Sequence, residues 1–163
     1  MFSRFTQAPE LLSAAPLAMS RLVPEVILFT DEPQLTLLIA AVLSATGIAA
    51  NLTRALPAEI YGIQAETRSL DVSILDLPFE VDENEVSLRI ERLRQAFPSV
   101  RVLLMSGCAL DEKLPERLLH RDVWFLPKPF NIARLAGTLR ETLEGEVRTA
   151  WGQHDRKPSL RRQ

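Results

Sequence analysis

The sequence has few of the residues that build disulfides and most transition-metal centres. Among its 163 residues are one cysteine, Cys108, and two histidines, His120 and His154. A single cysteine excludes an internal disulfide and a multi-cysteine zinc site, and two histidines disfavour a histidine-rich metal centre. There is also no apolar run of the roughly 18 residues that a membrane-spanning helix needs, no internal repeat and no glycine-rich nucleotide fingerprint. We therefore expect a cytoplasmic protein that neither spans a membrane nor binds a dinucleotide.

Charge and composition divide the chain into three parts. Hydrophobic residues make up 47% and charged residues 25%, which is typical of a folded protein. We interpret residues 1–23 as an N-terminal extension, 24–146 as one folded domain and 147–163 as a basic, disordered tail. The net charge is −2, and because the basic residues are concentrated in the tail, the domain itself is acidic. An acidic domain repels phosphate backbones, so we expect no nucleic-acid partner.

The spacing of apolar residues predicts five strands that alternate with five helices. The first strand, Val26 to Phe29, is a short apolar run of the kind that is buried on both faces of a sheet. Further strands are predicted at 48–53, 72–77, 100–105 and 123–126. Helices are predicted from Pro33 to a cap at Gly47, over 57–67, after a capping box of Asp82 and Glu85, over 112–120, and after a cap at Asn131, with Ile132, Leu135, Leu139 and Leu143 on its buried face. This alternation predicts an α/β fold with a doubly wound parallel sheet, whose ligand site lies beyond the carboxyl ends of the strands.

Polar side chains follow four of the predicted strands. Asp31 follows the first strand, Asp76 ends the third, Ser106 ends the fourth and Lys128 follows the fifth. Parallel strands end at one edge of the sheet, so these two carboxylates, one hydroxyl and one ammonium should meet there. Two carboxylates can hold Mg²⁺, one of them can attack a phosphoryl group, and the hydroxyl and ammonium can bind phosphoryl oxygens.

These residues and their flanking motifs resemble the receiver domain of bacterial response regulators. The four positions are separated by 45, 30 and 22 residues, which is similar to the spacing in that family. The resemblance extends from about residue 25 to 144 and rests on Asp31-Glu32-Pro33, Leu75-Asp76-Leu77, Met105-Ser106-Gly107 and Leu126-Pro127-Lys128-Pro129-Phe130. It implies the flavodoxin-like five-stranded sheet with strand order 2-1-3-4-5.

The resemblance also implies a role for each site residue. Asp76 would accept the phosphoryl group, Ser106 would sense it and Lys128 would bind it. Asp31, Asp76 and the backbone carbonyl of Pro78 would hold Mg²⁺, and Phe125 would turn inward as part of the switch. The resemblance further implies a histidine kinase or phosphotransfer protein as donor, a downstream protein target, and a homodimer formed through the last helix–strand–helix face. With a tail that we expect to be too short for an output domain, the chain would be a stand-alone receiver and not an enzyme beyond its own phosphorylation and dephosphorylation.

The first strand departs from the family pattern and leaves other interpretations open. Thr30 stands where the family has a second acid, so we expect weaker Mg²⁺ binding unless Glu80 or Glu83 supplies the missing carboxylate. A receiver with such a change could instead be a degenerate module that acts as a phosphorylation-independent adaptor. An aspartate-based phosphatase is disfavoured, because that chemistry needs an acid at the position of Pro78.

Overall fold

The computed structural model describes residues 23–64, 69–107 and 122–145. In chain order, its elements are β1 (Glu25–Phe29), α1 (Pro33–Ala45), β2 (Asn51–Ala55), a 3-10 helix (Pro57–Gly62), β3 (Val72–Asp76), α2 (Glu83–Ala96), β4 (Arg101–Ser106), β5 (Val123–Pro127) and α3 (Ile132–Glu144). The predicted helix at 112–120, the tail at 147–163 and all but the last residue of the N-terminal extension lie outside the described residues.

The five strands form one parallel sheet in the order β2-β1-β3-β4-β5. The doubly wound fold and the strand order predicted from the sequence are therefore confirmed. The chain leaves β1 toward β2 and later returns to the other side of β1 with β3. The strand order thus reverses between β1 and β3, which opens a crevice above their carboxyl ends.

Two apolar clusters cover the two faces of the sheet. One cluster joins the strands to α2 and the 3-10 helix, and the other joins them to α1 and α3. Neighbouring residues of β4 show this alternation, since Leu103 packs on the α1/α3 side and Leu104 on the α2 side. Burial on both faces explains why β1, β3 and β4 are nearly continuous apolar runs.

The helix caps follow the sequence more closely than the loop boundaries do. Asp82 and Asn131 cap α2 and α3, since their side chains accept hydrogen bonds from the backbone N–H groups of Asn84 and Arg134, each at 2.8 Å. Gly47 lies just after α1 with a φ of 67°, as its predicted capping role requires. The N–H of Ile48 then donates to the carbonyl of Leu43 at 3.0 Å, so the chain is still tied to the helix end here. For this reason β2 begins at Asn51, three residues later than the sequence suggested.

Two details of the helical predictions are wrong. The predicted capping box of α2 forms only its Asp82 half, because Glu85 pairs with Arg89 one turn further along. Ile132 is 65% exposed, since none of the described elements packs over the first turn of α3, whereas Leu135 and Leu139 are buried as expected. Within the described ranges, no helix has the length and apolar character to cross a bilayer.

Candidate functional site

Backbone hydrogen bonds place the predicted site residues at one edge of the sheet. The N–H of Thr30 donates to Ala55 of β2 at 3.0 Å, and the N–H of Leu77 donates to Met105 of β4 at 2.9 Å. The N–H of Lys128 donates to the carbonyl of Ser106 at 2.7 Å. Each bond continues a parallel ladder one residue beyond its strand, so the chain is still held firmly where the polar side chains begin.

The Asp76 carboxylate lies at the centre of this edge. It ends β3, the middle strand, and its side chain is 8% exposed. One carboxylate oxygen, Oδ1, pairs with the ammonium of Lys128, and the other, Oδ2, accepts a hydrogen bond from the Thr30 hydroxyl at 2.6 Å. Burying a carboxylate costs free energy unless its oxygens are paired, and Asp76 has a partner on each oxygen.

Lys128 spans from β5 to the end of β3. Its ammonium also lies 3.3 Å from the carbonyl oxygen of Leu77, and its side chain is 33% exposed. The ammonium therefore holds the residue beside Asp76 as well as Asp76 itself. Because it remains partly exposed, a proton donor is left facing the solvent side of the site.

Thr30 occupies the position where the resemblance calls for an acid. It is fully buried, and its hydroxyl also accepts a hydrogen bond from the N–H of Glu32 at 2.9 Å. The hydroxyl therefore donates one hydrogen bond, to Asp76, and accepts another, from the turn that leads into α1. A neutral donor here stabilises the Asp76 carboxylate, whereas a second carboxylate would repel it.

A pocket of about 220 Å³ opens over these residues. Its lining residues are Asp31, Glu32, Pro57, Asp76, Leu77, Pro78, Arg89 and Lys128. The fold therefore brings together the predicted phosphoacceptor, the three predicted metal ligands and the predicted phosphoryl-binding lysine. Glu80 and Glu83, the two acids considered as replacements for the missing carboxylate, do not line it.

The donor atoms of this pocket fit a divalent cation such as Mg²⁺. Asp31 is exposed, Asp76 and Pro78 line the same pocket, and Mg²⁺ is commonly held by one or two carboxylates with water in the remaining positions. No cluster of three acidic, histidine or cysteine side chains suited to a metal occurs within the described ranges. Asp31 and Asp76 would thus hold the ion without the third acid that Thr30 replaces.

Ser106 and Phe125 lie near the site without lining the pocket. Ser106 ends β4 and is 3% exposed, while Phe125 on β5 is half-buried against the cluster on the α2 side. Gly107, next to Ser106, lies under the ring of Phe79, because a Cβ at position 107 would be 2.6 Å from the Cδ2 atom of that ring. The loop after β3 therefore covers the chain directly after Ser106.

Sequence reasoning missed Arg89 as a member of the site. This residue on α2 lines the pocket with a side chain that is 13% exposed. The one local signal is the i,i+4 spacing of Glu85 and Arg89, which is that of a helical ion pair. Which neighbouring element the guanidinium approaches depends on how α2 packs on the sheet.

Solved structures of response regulators share this fold. A response regulator from Thermotoga maritima superposes with a TM-score of 0.58 at 22% identity, over 76% of this chain and 99% of that one. A response regulator receiver protein from Sinorhizobium medicae gives 0.55 at 20%, over 75% and 95%. A CheY-like response regulator from Mesorhizobium loti gives 0.54 at 19%, over 74% and 98%.

The chain has the receiver fold. No protein-family model and no curated protein matches the sequence. The likeness to receivers thus extends over nearly the whole length of the solved domains, although the identical residues are few. Asp31 and Asp76 lie at the ends of β1 and β3, on either side of the crevice between these strands. Lys128, after β5, lines the same pocket.

Proposed function

We propose that this receiver fold accepts a phosphoryl group on Asp76 from a histidine kinase or a phosphotransfer protein, and then signals through protein contacts. The observation that carries the proposal is the environment of the Asp76 carboxylate. It lines a pocket, with the Lys128 ammonium on one oxygen, and a second acid, Asp31, lines the same pocket. This set of groups is the one that phosphoryl transfer to a carboxylate requires.

In the proposed step, an oxygen of Asp76 forms a bond to phosphorus while the bond from phosphorus to the imidazole nitrogen of the donor breaks. The donor nitrogen keeps the electron pair, and Asp76 becomes an acyl phosphate. The Lys128 ammonium can then hold a phosphoryl oxygen, since it has three protons and its present bonds to Asp76 and to the carbonyl of Leu77 use two of them. A bound divalent ion would add positive charge that offsets the phosphoryl oxygens.

The Thr30 hydroxyl would orient the nucleophile. Its 2.6 Å hydrogen bond to Oδ2 fixes the carboxylate plane relative to the pocket. The buried position of Thr30 prevents water from taking that place. Positioning of this kind supplies much of the rate in phosphoryl transfer.

Intact-mass spectrometry after incubation with acetyl phosphate and Mg²⁺ tests the proposal. We expect the wild-type chain to gain one phosphoryl group and Asp76→Asn to gain none. Asp122→Asn, which changes an exposed aspartate outside the pocket, is the matched control and should behave as the wild type. An unmodified wild type, or a modified Asp76→Asn, would show that Asp76 is not the acceptor.

A second candidate function is a phosphorylation-independent adaptor. Thr30 favours it, because the hydroxyl takes the place of an acid and already occupies one oxygen of Asp76. An adaptor would remain unmodified by acetyl phosphate at every Mg²⁺ concentration, so the same mass measurement distinguishes the two functions.

A further inference from the structure

Arg89 is a cation that the proposed phosphoacceptor chemistry does not yet use. It lies in the second turn of α2 and lines the same pocket as Asp76 and Lys128. Its side chain is 13% exposed, so the charge is largely removed from bulk water.

The guanidinium of Arg89 has a donor that makes no hydrogen bond. Its Nη2 atom pairs with Glu85, whose side chain is 46% exposed. Its Nε atom is buried and has no hydrogen-bond partner. A buried guanidinium N–H without an acceptor is costly, so a further acceptor close to this side chain would stabilise it.

The pocket contains fixed positive charges in addition to the carboxylates that could hold a metal ion. Asp31, Glu32 and Asp76 contribute three carboxylates, whereas Lys128 and Arg89 contribute two fixed positive charges. Thr30 is uncharged, so the end of β1 places no further carboxylate beside Asp76. A fixed cation opposes a divalent ion in the same small volume and favours a phosphoryl dianion there.

We propose that Arg89 is the second phosphate-binding cation of the pocket, and that its guanidinium supplies part of the charge that a divalent ion would otherwise supply to a phosphoryl group on Asp76. The proposal rests on the phosphoacceptor function proposed above. It makes the site less dependent on Mg²⁺, because one of the two neutralising charges is built into α2. Arg89 is therefore a phosphate-binding residue that also weakens metal binding in the unmodified protein.

Two measurements on one set of variants test this role. Mg²⁺ binding to the unmodified protein is measured by calorimetry, and the rate of modification by acetyl phosphate at saturating Mg²⁺ is measured by intact mass. For Arg89→Gln we expect Mg²⁺ to bind roughly fivefold to tenfold more tightly, because a like charge is removed. We expect the modification rate to fall roughly tenfold, because a charge-assisted hydrogen bond to the phosphoryl group is lost.

The expected rise in Mg²⁺ affinity together with a fall in modification rate distinguishes this role from a structural one. A variant that merely damaged the pocket would bind Mg²⁺ more weakly and react more slowly. Arg92→Gln is the matched control, since Arg92 lies on the same helix and contacts the carbonyls of Tyr61 and Ile63 instead of the pocket. It should leave both quantities within twofold of the wild type, and Arg89→Lys, which keeps the charge, should retain the Mg²⁺ affinity of the wild type.

The possible results decide between the two proposals. A wild type that is modified while Arg89→Gln matches it in both measurements overturns the role of Arg89 and leaves the function of Asp76 standing. Weaker Mg²⁺ binding by Arg89→Gln also overturns it. A wild type that is never modified overturns the phosphoacceptor function and, with it, the role of Arg89.

Discussion

Thr30 sets the chemistry of the pocket through one hydroxyl group. It is fully buried and donates to Asp76 at 2.6 Å. A carboxylate at this position would add a metal ligand, but in the absence of metal it would place two largely buried anions side by side. We therefore expect Thr30 to favour a stable metal-free protein over tight metal binding.

Replacing Thr30 with aspartate should reverse this preference. We expect Thr30→Asp to lower the free energy of unfolding by about 1–3 kcal/mol without metal, because a hydrogen-bond donor is lost and repulsion is gained. Mg²⁺ should bind roughly tenfold more tightly and restore stability by mass action. Urea unfolding with and without Mg²⁺, together with calorimetry, measures both effects.

Thr30→Asn is the control for this change, since it alters shape without adding charge. It should lose stability without a gain in Mg²⁺ affinity. Equal Mg²⁺ affinity for Thr30→Asp and the wild type would mean that position 30 does not face the metal site.

At the scale of single elements, hydrogen bonds at the helix ends hold in place the segments that line the pocket. The loop that carries Pro78 runs from β3 to the Asp82 cap of α2, and α2 then carries Arg89 over the pocket. At the other side of the molecule, the Arg101 guanidinium of β4 donates to the carbonyl oxygen of Thr142 at 2.9 Å and also to that of Leu143. These carbonyls belong to the last turn of α3, where a cation also interacts favourably with the helix dipole.

Removal of the α2 cap should loosen the pocket wall. Asp82→Ala leaves the N–H of Asn84 without its acceptor, so we expect a loss of about 1 kcal/mol in the free energy of unfolding. Glu80→Ala, an exposed change in the same loop, should have almost no effect. Chemical denaturation of both variants measures the difference, and equal stability would contradict the capping role of Asp82.

Removal of the Arg101 cation, which binds the last carbonyls of α3, should lower the free energy of unfolding more than removal of the α2 cap. Arg101→Met keeps an unbranched apolar stem but loses charge-assisted bonds to two carbonyls, and we expect the free energy of unfolding to fall by about 1.5–3 kcal/mol. Arg54→Met on the edge strand β2, where the arginine is exposed, is the control and should change stability by less than about 0.5 kcal/mol. Thermal and urea unfolding would refute the proposed contribution of Arg101 if both variants lost the same stability.

At the scale of the whole molecule, one sheet joins two apolar layers. The α1/α3 layer and the α2 layer share the strands β1, β3, β4 and β5, whose residues alternate between the two faces. The pocket lies at the carboxyl ends of three of these strands, β1, β3 and β5. Its geometry therefore depends on both layers.

Two adjacent leucines of β4 test this shared dependence. Leu103 and Leu104 are both fully buried, one in each layer. We expect Leu103→Ala and Leu104→Ala each to lower the free energy of unfolding by about 2–5 kcal/mol while unfolding remains a single cooperative transition. Leu37→Ala is the control, since Leu37 is 72% exposed on α1. Two separate transitions in either core variant would show that the layers unfold independently.

Local sequence was enough to predict most of the elements that the structure describes. Runs such as Val26 to Phe29 have no polar face, and the spacing of Val86, Ile90, Leu93 and Phe97 matches one helical face that is buried throughout. Caps such as Asn131 act within one turn of the chain, so they too can be read locally. The start of β2 and the exposure of Ile132 could not be read, because each depends on which element packs alongside.

The sequence by itself determined most of the strands, the caps and the placement of Asp31, Asp76 and Lys128 at strand ends, because strand and helix periods and helix caps follow from short stretches of chain. Only the tertiary structure decided that the Thr30 hydroxyl bonds to Asp76 and that Arg89 enters the pocket. Those contacts join residues of different elements, 46 positions apart for Thr30 and Asp76. Their distances are set by how the sheet and α2 pack, which no local pattern records.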